Sequence, residues 1–190
     1  MLDYRVCPCH HEAPLTDALR AIRLVRSLGY SQVAIMGFSA GGHLTCSAAT
    51  LYTPGDPASE DPIERLSSRP DAFIPCYAVA SLTSFRHQGS LESLLGVDKN
   101  DYALQRRFSA ELHVTPDTPA AFLWHTAADE TVPVENSLNL ASALARCGVP
   151  FEMHIYPDGR HGLGLAEDYP DVRTWSDHLN MWLVKRGFGC

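Results

Sequence analysis

At 190 residues, with 45% hydrophobic and 19% charged side chains, the chain has the length and composition of one soluble domain with its own core. Lysine and arginine number 15 against 22 aspartates and glutamates, and the net charge of −7 argues against a nucleic-acid or anionic-membrane partner. No run of about 18 apolar residues is present, so no membrane-spanning helix is expected.

Residues 2–6 read as a strand. Residues 14–28 read as a helix, opened by Pro14 and stopped by Gly29, with Leu15, Ala18, Leu19, Ile22, Val25 and Leu28 on one face. Residues 32–38 form a short apolar strand, and a helix over 40–51 follows with no linker. Residues 53–71 contain Pro54, Pro57, Pro62 and Pro70 and read as loop. Residues 72–79 are a further apolar strand. The stretch 80–119 is long for a plain connection; it holds a short helix near 91–95 and is expected to form a small cap. A strand over 120–126 precedes a helix over 133–147, which ends at Gly148. Residues 151–156 alternate Phe151, Met153 and Ile155 with polar neighbours, as strands do. Val172, Trp175, Leu179, Trp182 and Leu183 mark a last amphipathic helix. Strands alternating with helices imply one α/β domain over 1–190, its mostly parallel sheet covered on both faces.

Six cysteines are present: Cys7, Cys9, Cys46, Cys76, Cys147 and Cys190. Cys46 and Cys76 fall inside a predicted helix and strand, where a free thiol acts as a small apolar residue. Cys7-Pro8-Cys9 lacks the spacing of a redox or zinc motif. Residues 1–5 do not resemble a signal peptide. Reduced thiols in a cytoplasmic protein are the expectation.

Gly37-Phe38-Ser39-Ala40-Gly41 is a G-x-S-x-G motif between an apolar strand and a helix. The chemistry needs a sharp turn that lifts a serine oxygen clear of the sheet. Residues two positions away should be small; Gly37 and Gly41 meet that demand and Gly42 adds room. The Ala40 N–H, at a helix N-terminus, is placed to face a developing oxyanion. Where this motif is catalytic, an acid and then a histidine follow in chain order, each in a loop after a strand. Asp129 follows the strand ending at Thr126, with Glu130 as its adjacent competitor. His161 lies between Gly159 and Gly162, after the strand ending at Tyr156. His125 and His154 lie in strands, His178 on the last helix, and His43 on the helix after Ser39, which suits a structural role. No two histidines share an H-x-x-x-H spacing, so no metal site is expected.

The segments Leu2-Asp3-Tyr4-Arg5-Val6, Met36 through Leu44, Phe122-Leu123-Trp124-His125-Thr126, Val132 through Ser137 and His161-Gly162-Leu163-Gly164-Leu165 resemble bacterial acetyl-xylan esterase-like and feruloyl-esterase-like α/β-hydrolases. Proteins of this kind are also labelled xylanase B-like or dienelactone-hydrolase-like. The resemblance covers nearly the whole chain. It implies an α/β-hydrolase fold and a Ser39–Asp129–His161 triad acting through an acyl-enzyme. It further implies hydrolysis of short acyl esters, acetyl groups on carbohydrates, with no cofactor. Alternatives are a serine peptidase of the same fold and a remnant with little or no activity.

Glu12 stands where the resembled proteins carry proline. They also have further N-terminal strands and a glycine-rich loop that supplies a second oxyanion donor. By that comparison the chain reads as truncated, with turnover impaired. Without the strand that normally lies between them, either residues 2–6 shift inward or the edge beside Val33 and Ile35 is exposed. An exposed edge invites pairing with a second copy.

Overall fold

The computed structural model describes residues 1–6 and 10–189; Cys7, Cys9 and Cys190, and the C-x-C segment with them, lie outside the described residues. In chain order the elements are α1 (Ala13–Ser27), β1 (Ala34–Phe38), α2 (Ala40–Thr50), β2 (Ala72–Cys76), α3 (Gln88–Leu95), α4 (Tyr102–Arg107), β3 (Ala120–Thr126), α5 (Glu135–Arg146), β4 (Phe151–Tyr156) and α6 (Trp175–Lys185). The four strands form one parallel sheet in the order β1-β2-β3-β4.

The sheet is covered on both faces, which is why its inner strands read as unbroken apolar runs. Ala121 and Leu123 of β3 pack with Leu140 and Leu144 of α5 and with Cys46 and Ala49 of α2. Phe122 and Trp124 point the other way, to Trp175, Leu179 and Trp182 of α6. Trp124 stacks on Trp175 with ring centroids 5.0 Å apart. Burial pushes the Cys76 thiol up to about 12 and raises that of Cys46, so both stay protonated core groups. Cys46, Cys76 and Cys147 are free thiols. Among the described residues no helix is long and apolar enough to cross a membrane.

The expected strand over 2–6 does not form. The Arg5 backbone N–H donates to Asp17 Oδ2 on α1 at 2.9 Å, and its guanidinium pairs with the same carboxylate at 2.7 Å. Those groups are therefore spent on a helix rather than on a strand ladder. β1 has β2 on one side and no strand among the described residues on the other, leaving Met36 50% exposed. The apolar face of α1 is also shorter than expected. Val25 and Leu28 are exposed, while Arg23 is buried and donates to Leu66 O at 2.8 Å. Glu12, just before α1, ion-pairs with Arg107 at the end of α4 at 2.6 Å.

The segment 80–119 holds α3, α4 and two short 3-10 turns. Asn136 at the start of α5 anchors it, accepting from Ser81 N at 3.0 Å and donating to Phe85 O at 2.8 Å. Together with α1 and α2 it bounds an apolar cavity of about 530 Å³, lined by Ala40, His43, Leu44, Leu82, Leu94 and Phe108 among others.

Candidate active site

Parallel strands all end at the same edge of the sheet, and loops there collect side chains from distant parts of the chain. Ser39 follows β1, Tyr77 follows β2, Asp129 follows β3 and His161 follows β4. The structure brings Ser39, His161 and Asp129 into one row. Ser39 Oγ lies 2.8 Å from His161 Nε2, and His161 Nδ1 lies 2.6 Å from Asp129 Oδ2. An ionised carboxylate only accepts, so His161 carries its proton on Nδ1 and offers the Nε2 lone pair to the Ser39 hydroxyl. Such a row can move the Ser39 proton onto His161 as the oxygen attacks a carbonyl.

Ser39 adopts φ 53° and ψ −114°, a conformation that costs on the order of 1–3 kcal/mol for a non-glycine residue. The turn is held by Ser39 N–H donating to Cys76 O at 3.0 Å and by His43 N–H donating to Ser39 O at 3.0 Å. Ala40 opens α2 and is exposed. Its N–H is among those at a helix start that have no intrahelical acceptor.

The space requirement differs from expectation at Gly41. A Cβ on Gly37 would sit 2.1 Å from Gly41 O, and one on Gly42 would sit 2.6 Å from the Ala78 Cβ, whereas a Cβ on Gly41 would meet nothing within 4 Å. It is Gly37 and Gly42 that let α2 close onto the sheet. Gly41→Ala should therefore not destabilise the fold and should add up to about 1 kcal/mol, as glycine to alanine does in a helix. Gly42→Ala should cost about 1–3 kcal/mol in a urea melt, as overpacking does. Equal costs at the two positions would show that the close approach of α2 is misjudged.

Asp129 is buried and Glu130 is exposed, which separates the two competitors. Asp129 Oδ1 accepts from the backbone N–H of Thr131 and of Val132, both at 2.9 Å. Burial works to raise its pKa, but the hydrogen bonds from His161, Val132 and Thr131 outweigh it and hold the carboxyl below the usual range.

Two contributors escaped sequence reasoning. His125, fully buried on β3, has Nε2 3.0 Å from Val132 O and 3.3 Å from Asp129 Oδ2. Both are acceptors, so Nε2 carries the proton and Ser137 Oγ donates to Nδ1 at 2.8 Å. Its only sequence signal is the i, i+4 offset from Asp129. Tyr77 packs its ring edge-on against His161, centroids 5.1 Å apart, and its hydroxyl accepts from Gly164 N–H at 3.1 Å. The expected strand over 72–79 hid it; β2 ends at Cys76, which puts Tyr77 at the strand's carboxyl end.

Burial holds His125 and His43 below the ordinary imidazole pKa, and His43 satisfies Nε2–H on Phe108 O at 2.9 Å. An unfolded imidazole takes up its proton near pH 6.5, while these two resist it when folded. The unfolded state thus binds more protons as pH falls below about 6.5, and stability falls with it, by up to about 1.4 kcal/mol per pH unit per group. Urea midpoints measured from pH 7.5 to 5 should decline, and His43→Gln should flatten the decline. A midpoint independent of pH over that range would contradict the neutral assignment.

The BD-FAE family profile matches residues 2–144. The chain belongs to the BD-FAE family. This BD-FAE chain is 36% identical over 164 residues to endo-1,4-beta-xylanase B of Butyrivibrio fibrisolvens, a match covering 83% of the chain and 26% of that relative. It is 30% identical over 193 residues to the acetylxylan esterase of Xylanibacter ruminicola, covering 96% of the chain and 38% of the relative. The crystal structure of an acetyl ester-xyloside bifunctional hydrolase from Caldicellulosiruptor lactoaceticus is 48% identical and superposes with a TM-score of 0.95. That match covers 98% of this chain and 71% of that one. The fold is thus that of α/β-hydrolases similar to acetylxylan esterases. The chain spans well under half the length of the two curated relatives.

Proposed function

We propose that this chain is a serine carboxylesterase that removes short acyl groups, acetyl groups from carbohydrates in particular. The observation that carries the reading is the hydrogen-bonded row from Ser39 through His161 to Asp129 at the carboxyl edge of the sheet. The names of the acetylxylan esterase and the acetyl ester-xyloside hydrolase support the choice of acyl group.

In this reading Ser39 Oγ attacks the ester carbonyl carbon and its proton passes to His161 Nε2. The negative oxygen of the tetrahedral intermediate is met by the Ala40 N–H. When the intermediate collapses, His161 gives the proton to the departing alcohol oxygen, leaving the acyl group on Ser39. Water then attacks the acyl-enzyme, losing a proton to His161, and the carboxylic acid departs as Ser39 regains its hydrogen. Asp129 keeps His161 in the tautomer with Nε2 free and stabilises the imidazolium formed in each half.

Aryl esters from acetate to octanoate, acetylated xylo-oligosaccharide and a peptide amide provide the test. The expected result is kcat/KM greatest at acetate, acetate release from the oligosaccharide, and no amide cleavage. A maximum at octanoate or turnover of the amide would overturn it.

A further inference from the structure

Among the described residues a second group of chemistry-bearing side chains lies away from Ser39. Glu152 and His154 are two residues apart on β4 and so share one face of that strand. His178 reaches the same place from α6. His154 Nε2 lies 2.9 Å from Glu152 Oε1, and the rings of His154 and His178 stack with centroids 4.4 Å apart. One ligand atom from each of the three side chains lies within 4.8 Å of the other two. All three residues are half-buried, so solvent reaches them.

We propose that Glu152, His154 and His178 bind a divalent transition-metal ion, with zinc as the best match. Two imidazole nitrogens and one carboxylate oxygen form a donor set that suits zinc, copper or nickel better than calcium or magnesium. Bonds of about 2.0–2.2 Å in a tetrahedron place donor atoms roughly 3.4 Å apart. The observed atoms lie within 4.8 Å of one another, so closing to that spacing takes at most about 1.4 Å, with the 2.9 Å His154–Glu152 contact opening slightly and the stacked rings tilting, within reach of side-chain rotation at partly exposed positions. Water takes the fourth position. Ligation at Nε2 moves the His154 proton to Nδ1 and replaces its hydrogen bond to Glu152 with two metal bonds. The ligands come from two elements, which is why the histidine spacing along the chain did not reveal them.

The location gives the ion a consequence. β4 and α6 flank residues 157–174, the segment that carries His161. An ion bridging them ties down both ends of that segment without touching Ser39, His161 or Asp129.

Metal-free protein is titrated with zinc chloride and followed by calorimetry and thermal melting. The proposal expects one zinc per chain and, at about 100 times the Kd, a Tm rise of roughly 5–10 °C. Glu152→Gln and His178→Ala should each abolish most of the rise and weaken binding at least tenfold. Both variants keep His10 and His11, whose rings also lie 3.9 Å apart and which serve as an internal control for adventitious binding. If His178→Ala does not fold, the near-isosteric Glu152→Gln decides alone. No rise in the native chain, or an equal rise in Glu152→Gln, overturns the proposal.

Discussion

Ser39→Ala should lower kcat on an aryl acetate by about 10⁶-fold, to the edge of detection, with the fold intact. Losing a serine nucleophile from a working Ser–His–Asp unit removes the covalent route altogether, and the residual rate comes from oxyanion contacts and binding. Stability offers no competing explanation. The hydroxyl is half-buried and makes one hydrogen bond, to His161, so its removal costs about 1 kcal/mol or less. Alanine inherits the same φ of 53° and the same backbone bonds to Cys76 and His43. Steady-state kinetics beside a urea melt check this. A variant that retains more than about one hundredth of the native kcat would mean that hydrolysis does not pass through Ser39.

Asp129→Asn should lower kcat by about 10⁴-fold while leaving KM within a few-fold. Every group around this carboxylate is a donor: His161 Nδ1–H and His125 Nε2–H at Oδ2, and the Thr131 and Val132 N–H groups at Oδ1. An asparagine must turn its NH₂ toward one side or the other. Facing the loop, it would orphan two backbone donors, at about 1–3 kcal/mol each where buried. Facing the imidazole, it requires that His161 move its proton from Nδ1 to Nε2 and leaves the His125 Nε2–H on Val132 O alone, with no donor orphaned, so this orientation wins. Nε2 then donates to Ser39 and no longer accepts its proton, which is the origin of losses near 10⁴ in such sites. The same kinetics check the outcome. A loss under tenfold would show that Asp129 does not set the tautomer of His161.

How much of this was legible depended on whether the cause was local. β3 and β4 follow expectation residue for residue: β3 is a buried parallel strand and declares itself as an apolar run, while β4 is found by the alternation of Phe151, Met153 and Ile155, although its burial does not alternate. The turn at Ser39 was legible from glycine spacing, yet the reason differed, since the tight approaches are at Gly37 and Gly42 rather than Gly41. Residues 2–6 have strand composition but no strand neighbour, and Asp17, twelve positions from Arg5, takes the Arg5 N–H instead. Strand formation needs a partner, and no local pattern reports one. His125 was read only as a residue of the strand and is buried there, but the sequence carried no distance to Asp129. Tyr77 and the Glu152–His154–His178 group were out of reach for the same reason: each joins elements that only the folded sheet brings together.

The central claim is that Ser39 is an activated nucleophile, and a fluorophosphonate reagent tests it without any assumption about substrate. Folded protein is treated at neutral pH, its intact mass is measured and the modified peptide is sequenced. An activated Ser39 gives a single adduct, located on Ser39, that is absent after prior unfolding and absent in Ser39→Ala. Labelling that persists in Ser39→Ala, or that falls on another residue of the native chain, would contradict it.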